Sequence, residues 1–226
     1  MEKLSLPFPP GASARGHARR YDGASMGGRV AVLVSGSGTN LQVLLDDPSI
    51  RPHIAFVLSD RSGVRALERA RRADVEVDVI EPGLFPDRVT FDEAVLAALR
   101  GRGIDVLVSA GYMRVLGSRV LEVYEGRWLN VHPALLPAFP GMHGVADALA
   151  YGVKVTGVTV HLVDEGTDSG PVVLQEAIAV REDDTWDSLE PRIHEVEHRL
   201  LPRALRALLE GRLEVAGRRV RIRETS

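Results

Sequence analysis

A short, almost wholly apolar run that ends in a glycine-rich turn and opens at once into an amphipathic segment sets the terms for this chain. Residues 29–34 read RVAVLV, and Ser35-Gly36-Ser37-Gly38-Thr39-Asn40-Leu41 follows. Apolar residues at successive rather than alternate positions mark a strand covered on both faces, as in the middle of a parallel sheet. The unit recurs. HIAFVLS (53–59) reads as a second strand, with a helix from about Val64, and VEVDVI (75–80) as a third. Phe91, Val95 and Leu99 at i, i+4, i+8 mark a helix. DVLVSA (105–110) and RWLNVH (127–132) are the fourth and fifth strands; TGVTVHLV (156–163) and PVVLQEAIAV (171–180) are longer C-terminal strands. Leu189, Ile193, Val196, Leu200 and Leu208 lay out a long final helix, in which Pro202 predicts a kink. LEVAGRRVRI (213–222) has the form of a hairpin turning at Ala216-Gly217. Strand–helix alternation of this kind predicts an α/β fold with an open, mostly parallel sheet and helices on both faces.

Composition removes several classes of function. With 226 residues, 45% of them hydrophobic, the chain can bury a real core. No apolar run approaches the ~18 residues of a membrane span. A net charge of −3 gives no general attraction to phosphate backbones, so no nucleic-acid partner is expected. There is no cysteine, which excludes disulfides and thiolate zinc sites and fits a reducing compartment. Residues 1–28, rich in Pro, Gly, Ala and Ser, read as a disordered extension ahead of a single domain over 29–226. Its best apolar stretch, LSLPF, is too short for a signal peptide, no apolar run follows Arg19-Arg20, and Met26 suits a start.

Three constellations carry possible chemistry. Ser35 to Leu41 joins a strand to a helix, where backbone N–H groups favour an anion and glycines allow close approach to a phosphate. The dinucleotide fingerprint is incomplete, because Leu41 stands where the third glycine belongs, although Asp60 ends the second strand where a ribose-binding acid would sit. The bland alternative is a tight turn with Thr39 or Asn40 as helix cap. Asn130-Val131-His132-Pro133 is the second: residues i and i+2 of a strand share a face, so Asn130 and His132 project together. An amide beside an imidazole suits stabilising an oxyanion and moving a proton; the alternative is a pair satisfied within a turn. The third, Asp164-Glu165-Gly166-Thr167-Asp168-Ser169-Gly170-Pro171, offers a carboxylate to orient an imidazole, or is a solvated turn. Arg114 after the fourth strand is either a surface charge or a carboxylate ligand. The spacing of His143, His161, His194 and His198 matches no metal motif, and no metal site is expected.

Taken together, VLVSGSGTNLQ, SAGYMRVL, LNVHPALLPAFPG and DEGTDSGPVVLQ resemble, in order and spacing over about 29–215, the folate-dependent formyltransferases, and within them the branch acting on glycinamide ribonucleotide. The tRNA-modifying branch would be expected to carry an Arg-Gly-Ala loop after His-Pro and a further C-terminal domain; the deformylase branch usually carries an N-terminal regulatory domain. The resemblance implies a seven-stranded sheet with a Rossmann-like N-terminal half, divided into a nucleotide-binding half (about 29–126) and a folate and catalytic half (about 127–226). It implies transfer of a formyl group from 10-formyltetrahydrofolate, a cosubstrate and not a tightly bound cofactor, to 5'-phosphoribosylglycinamide in purine synthesis. Asn130, His132 and Asp168 would be catalytic. Gly38, Thr39, Asn40 and Glu197 would hold the ribonucleotide. Arg88, Met113, Arg114, Val115, Leu116, Asn130, Asp164, Glu165, Gly166, Thr167 and Asp168 would line the folate site. Small molecules would be the only partners, with no nucleic acid or membrane, in a cytoplasmic monomer or homodimer. The rivals are another user of the same formyl donor, such as the deformylase, a nucleotide-dependent oxidoreductase built on Gly36, Gly38 and Asp60, and a non-catalytic nucleotide-binding module.

Overall fold

The computed structural model describes residues 28–224. All but the last residue of the extension read over 1–28 thus lies outside the described residues. Nine strands form one sheet: β1 (Val30–Val34), β2 (Ile54–Ser59), β3 (Glu76–Val79), β4 (Val106–Ser109), β5 (Trp128–His132), β6 (Val155–Leu162), β7 (Val172–Ala179), β8 (Leu213–Ala216) and β9 (Arg219–Ile222). Their order is β3-β2-β1-β4-β5-β6-β7-β9-β8. The first five in sequence are parallel. β6 runs antiparallel to both β5 and β7, β9 joins β7 in parallel through Val172 and Arg219, and β8 pairs antiparallel with β9. Among the described residues the sheet therefore has nine strands, not seven. The terminal hairpin is legible as a hairpin, but its docking onto β7 is a tertiary contact with no local signature.

The helices are α1 (Thr39–Asp46), α2 (Arg65–Arg72), α3 (Arg88–Gly101), α4 (Ser118–Tyr124), α5 (Gly144–Tyr151) and α6 (Trp186–Leu209). β1 shows why its sequence is apolar throughout. Val30, Val32 and Val34 share a core with α1, α2, α5 and α6. Ala31 and Leu33 face the other way, into a core shared with α3 and α4. All five are fully buried, and each Val or Leu contributes about 1.5–3 kcal/mol by leaving water. α6 begins with a reciprocal cap between Thr185 and Ser188 and runs 24 residues, continuing through both Pro191 and Pro202. A proline inside a helix leaves one carbonyl unpaired; here the buried apolar face of α6 outweighs that loss.

Chain order sets where a ligand can sit. From β1 the sheet grows outward to β2 and β3, then resumes at β4 on the other side of β1. At such a switch point the loops leaving neighbouring strands diverge and open a crevice at the carboxyl edge.

Candidate active site

Gly38 caps α1 in the left-handed region, at φ 71°. A Cβ there would lie 2.6 Å from Ala66 Cβ. Glycine is thus required twice, by the backbone angle and by the packing of the turn on α2. The cap is Gly38 itself and uses no side chain, which corrects the expectation of Thr39 or Asn40 in that role. The loop is held from α2: Ala66 N–H donates to the Gly36 carbonyl at 3.2 Å, and Arg69 Nε donates to the Ser37 carbonyl at 2.9 Å. Asn40 is buried and donates from Nδ2 to Glu197 Oε2 on α6 at 2.9 Å. Glu197 is only 5% exposed. Burial pushes its carboxyl above the ordinary range, against the smaller downward pull of Asn40.

Across the switch point, β5 delivers the imidazole. Leu129 and Val131 pack into the α1/α6 core and Trp128 into the other, so Asn130 and His132 follow on the Trp128 side. Neighbouring strands place Ser109 of β4 and His161 of β6 on either side of Asn130. Asp168, in the left-handed region at φ 50°, lies where four groups converge. Its Oδ2 accepts the Gly141 N–H at 2.7 Å and lies 3.3 Å from His132 Nδ1. Its Oδ1 accepts from Asn130 Nδ2 at 3.2 Å and lies 3.5 Å from His161 Nε2. Burial alone would raise the Asp168 pKa; hydrogen bonds from His161 and Gly141 and the charge of His132 bring it below the ordinary value.

His132 sits between two acceptors, Asp168 at Nδ1 and the Phe139 carbonyl 2.7 Å from Nε2. Only the doubly protonated ring satisfies both. Burial opposes that form and prevails, leaving the pKa below the ordinary value although Asp168 and Phe139 pull it upward. His161, unassigned in the sequence reading, has Nδ1 2.9 Å from the Leu162 carbonyl and Nε2 3.1 Å from Asn130 Nδ2. A carbonyl only accepts, so Nδ1 carries a proton, while Nε2 lies between Asn130 Nδ2 and Asp168 Oδ1. Asn130 Nδ2 donates to the Asp168 carboxylate, which sets the orientation of the amide. No sequence signal marks His161, because its role depends on the β5–β6 register.

These residues line a cavity of ≈1280 Å³. Gly38, Thr39, Asn40 and Glu197 reach it from one side and Arg88 and Met113 to Leu116 from another, with Asn130, His132 and Asp164 to Asp168 beside them. Trp186, Glu190 and His194 of α6 also line it and had no local motif to announce them. Asp60, the candidate ribose acid, does not line this cavity. Its side chain is fully buried and paired with Arg114 at 3.0 Å and Arg61 at 3.4 Å. Among the described residues no group of three or more His, Cys, Asp or Glu is placed to hold a metal, and no helix is long and apolar enough to cross a membrane.

A Rossmann-like switch-point crevice that joins a glycine loop to an Asn-His-Asp cluster defines a class, and the comparison with known families agrees: the chain belongs to the formyl transferase family, which matches residues 28–205. More particularly, it is 48% identical over 193 residues to the phosphoribosylglycinamide formyltransferase of Mycobacterium tuberculosis, covering 84% of this chain and 89% of that one. It is 40% identical over 190 residues to the human trifunctional purine biosynthetic protein adenosine-3, covering 83% of this chain and 19% of that one. The crystal structure of glycinamide ribonucleotide transformylase 1 from Symbiobacterium toebii superposes with a TM-score of 0.84 at 47% identity, covering 89% of this chain and 96% of that one.

Proposed function

We infer that this chain transfers the formyl group of 10-formyltetrahydrofolate to the amine of 5'-phosphoribosylglycinamide, giving the N-formyl product and tetrahydrofolate in purine synthesis. The observation that carries the reading is the convergence of Asn130, His132 and His161 on Asp168 beside the glycine loop. Relatives bearing the formyltransferase name match across both.

In this reading the ribonucleotide phosphate sits on the N–H groups of Gly38, Thr39 and Asn40, and Glu197 receives the glycinamide end. The folate lies along Arg88, Met113 to Leu116 and 164–168. The chain divides accordingly, with the nucleotide side mainly within 29–126 and the folate and catalytic side within 127–226. The neutral amine attacks the formyl carbon, and charge develops on the formyl oxygen. That charge favours protonation of His132, which burial had held back; Asp168 completes the cation's bonding at Nδ1. Donors aimed at developing charge are worth ~10²–10³-fold in rate. Collapse of the tetrahedral adduct expels the folate nitrogen, which gains a proton as the amine loses one. No step calls for a metal or a covalent enzyme intermediate. The chain acts on small molecules in the cytoplasm, as a monomer or homodimer, without nucleic acid.

The test is direct. The full chain is mixed with both substrates and loss of the formyl donor is followed optically. Turnover that requires the ribonucleotide is the expected result. Loss of the formyl group without the acceptor would identify a deformylase, and NAD(H) binding without formyl transfer would point to an oxidoreductase.

A further inference from the structure

The segment assigned to the folate is the least regular part of the cavity wall. Residues 112–116 belong to no strand or helix, and side chains from neighbouring elements hold them in place. Met113 N–H donates to Ser35 Oγ at 2.9 Å. Arg114 Nε donates to Asp60 Oδ2 at 3.0 Å. Just beyond, Gly117 N–H donates to Asp92 Oδ2 at 2.9 Å.

Asp60 is central among these supports. Its side chain is 0% exposed, and a carboxylate out of water must be paired and hydrogen-bonded to persist. Its partners come from three segments. Ser35 follows β1, Arg61 follows β2, and Arg114 follows β4. Those strands are adjacent, in the order β2-β1-β4. Burial would raise the Asp60 pKa, but hydrogen bonds from Ser35, Arg114 and Arg61 bring it below the ordinary value. The same Ser35 hydroxyl receives the Met113 amide, so Asp60 steadies the irregular segment at two successive residues.

We infer that Asp60 is a positioning residue for the folate side of the reaction: through Ser35 and Arg114 it fixes the 113–116 segment against which the folate binds. The inference rests on the assignment of that segment given above. It makes an asymmetric statement. The glycine loop has its own ties to α2, through Gly36 and Ser37, so loss of Asp60 should loosen one substrate's site and spare the other's.

Asp60→Asn keeps the shape and removes the charge. We expect the KM for 10-formyltetrahydrofolate to rise about tenfold, the scale of one lost charge-assisted bond. The KM for the ribonucleotide and kcat should stay within about threefold. Ser35→Ala, a milder change that leaves both arginines on Asp60, should move the folate KM in the same direction by about two- to fivefold and decides the matter if Asp60→Asn does not fold. Tetrahydrofolate titrations give an independent reading through tryptophan fluorescence, because Trp128 and Trp186 both line the cavity and are the chain's two tryptophans. An unchanged folate KM and unchanged tetrahydrofolate binding in both variants would overturn the inference, even with a lowered Tm. So would equal rises in both KM values. If the wild-type chain shows no formyl transfer, the functional reading falls and takes this inference with it.

Discussion

At the scale of single residues, the site is a set of buried polar groups that settle one another's charge. His132 and Asp168 are the clearest pair. Replacing Asp168 by Asn removes the charge that raises the ring's pKa, so any pH dependence due to His132 should shift to lower pH. Turnover should fall ~10²–10⁴-fold, the scale of a positioned acid or base, with folate binding little changed. His132→Ala should cost about as much. The double variant should be scarcely worse than either, because groups acting as a unit are not additive; steady-state kinetics on folded protein decide, and fully multiplicative losses would mean independent roles. Glu197 gives a prediction of opposite character. Its folded pKa is raised, so the unfolded state deprotonates first as pH rises, and stability declines from the ordinary carboxylate range upward through the folded value. Glu197→Gln should therefore raise Tm at pH 8, by about 2–4 °C per kcal/mol of penalty removed. The gain should vanish below the ordinary glutamate range, while the KM for the ribonucleotide rises. A melting series across pH checks the sign. Strand alternation marks Asn130 and His132 in the sequence, whereas the polar turn offers several carboxylates and only the family resemblance singles out Asp168. His161 goes unmarked, because only the β5–β6 register reveals its partner. Asp60 misleads at this scale: its position after β2 suits a ribose acid, and only its burial shows that it braces the wall instead.

At the scale of elements, the β1–α1 turn separates two uses of glycine. A Cβ on Gly36 meets nothing within 4 Å, whereas one on Gly38 meets Ala66 Cα at 2.7 Å from a backbone at φ +71°. Gly36→Ala should leave Tm nearly unchanged and raise the ribonucleotide KM by intruding on the space a phosphate would occupy. Gly38→Ala should lower Tm markedly, since a left-handed non-glycine angle alone costs of order 1–3 kcal/mol and the clash adds to it. If the two variants melt alike, the steric account of the turn is wrong. Strand–helix alternation made most of these elements legible, to within a residue or two at strand ends. α4 and α5 lack a readable period, since α4 buries only Val120 and Tyr124 and α5 only Gly144, Val145 and Ala148. The left-handed Gly38 cap was hidden because side-chain capping rules do not anticipate a glycine held by a helix from elsewhere.

At the scale of the whole molecule, the sheet reaches past the loop that carries Asp168 to its last two strands. Arg218 Nη2, in the β8–β9 turn, donates to the Ser169 carbonyl at 2.7 Å, next to Asp168. Ending the chain after Arg212 should leave a folded domain, since the family match closes at 205, but with lower Tm. Buried Leu213 alone accounts for about 1.5–3 kcal/mol. Turnover should fall with it, whereas Arg221→Ala, on the same hairpin but without a contact to the loop, should leave kcat unchanged. The Asn40–Glu197 bond has a consequence of another kind. It closes a separation of 157 residues, so a ribosome making this chain finishes the glycine loop long before α6 can meet it. A chain released before Glu197 carries the glycine loop without that partner for Asn40 and without the α6 wall of the cavity. On the proposed assignment, copies terminated before Glu197 should not hold the ribonucleotide, and the capacity to bind should arrive only after α6 is made.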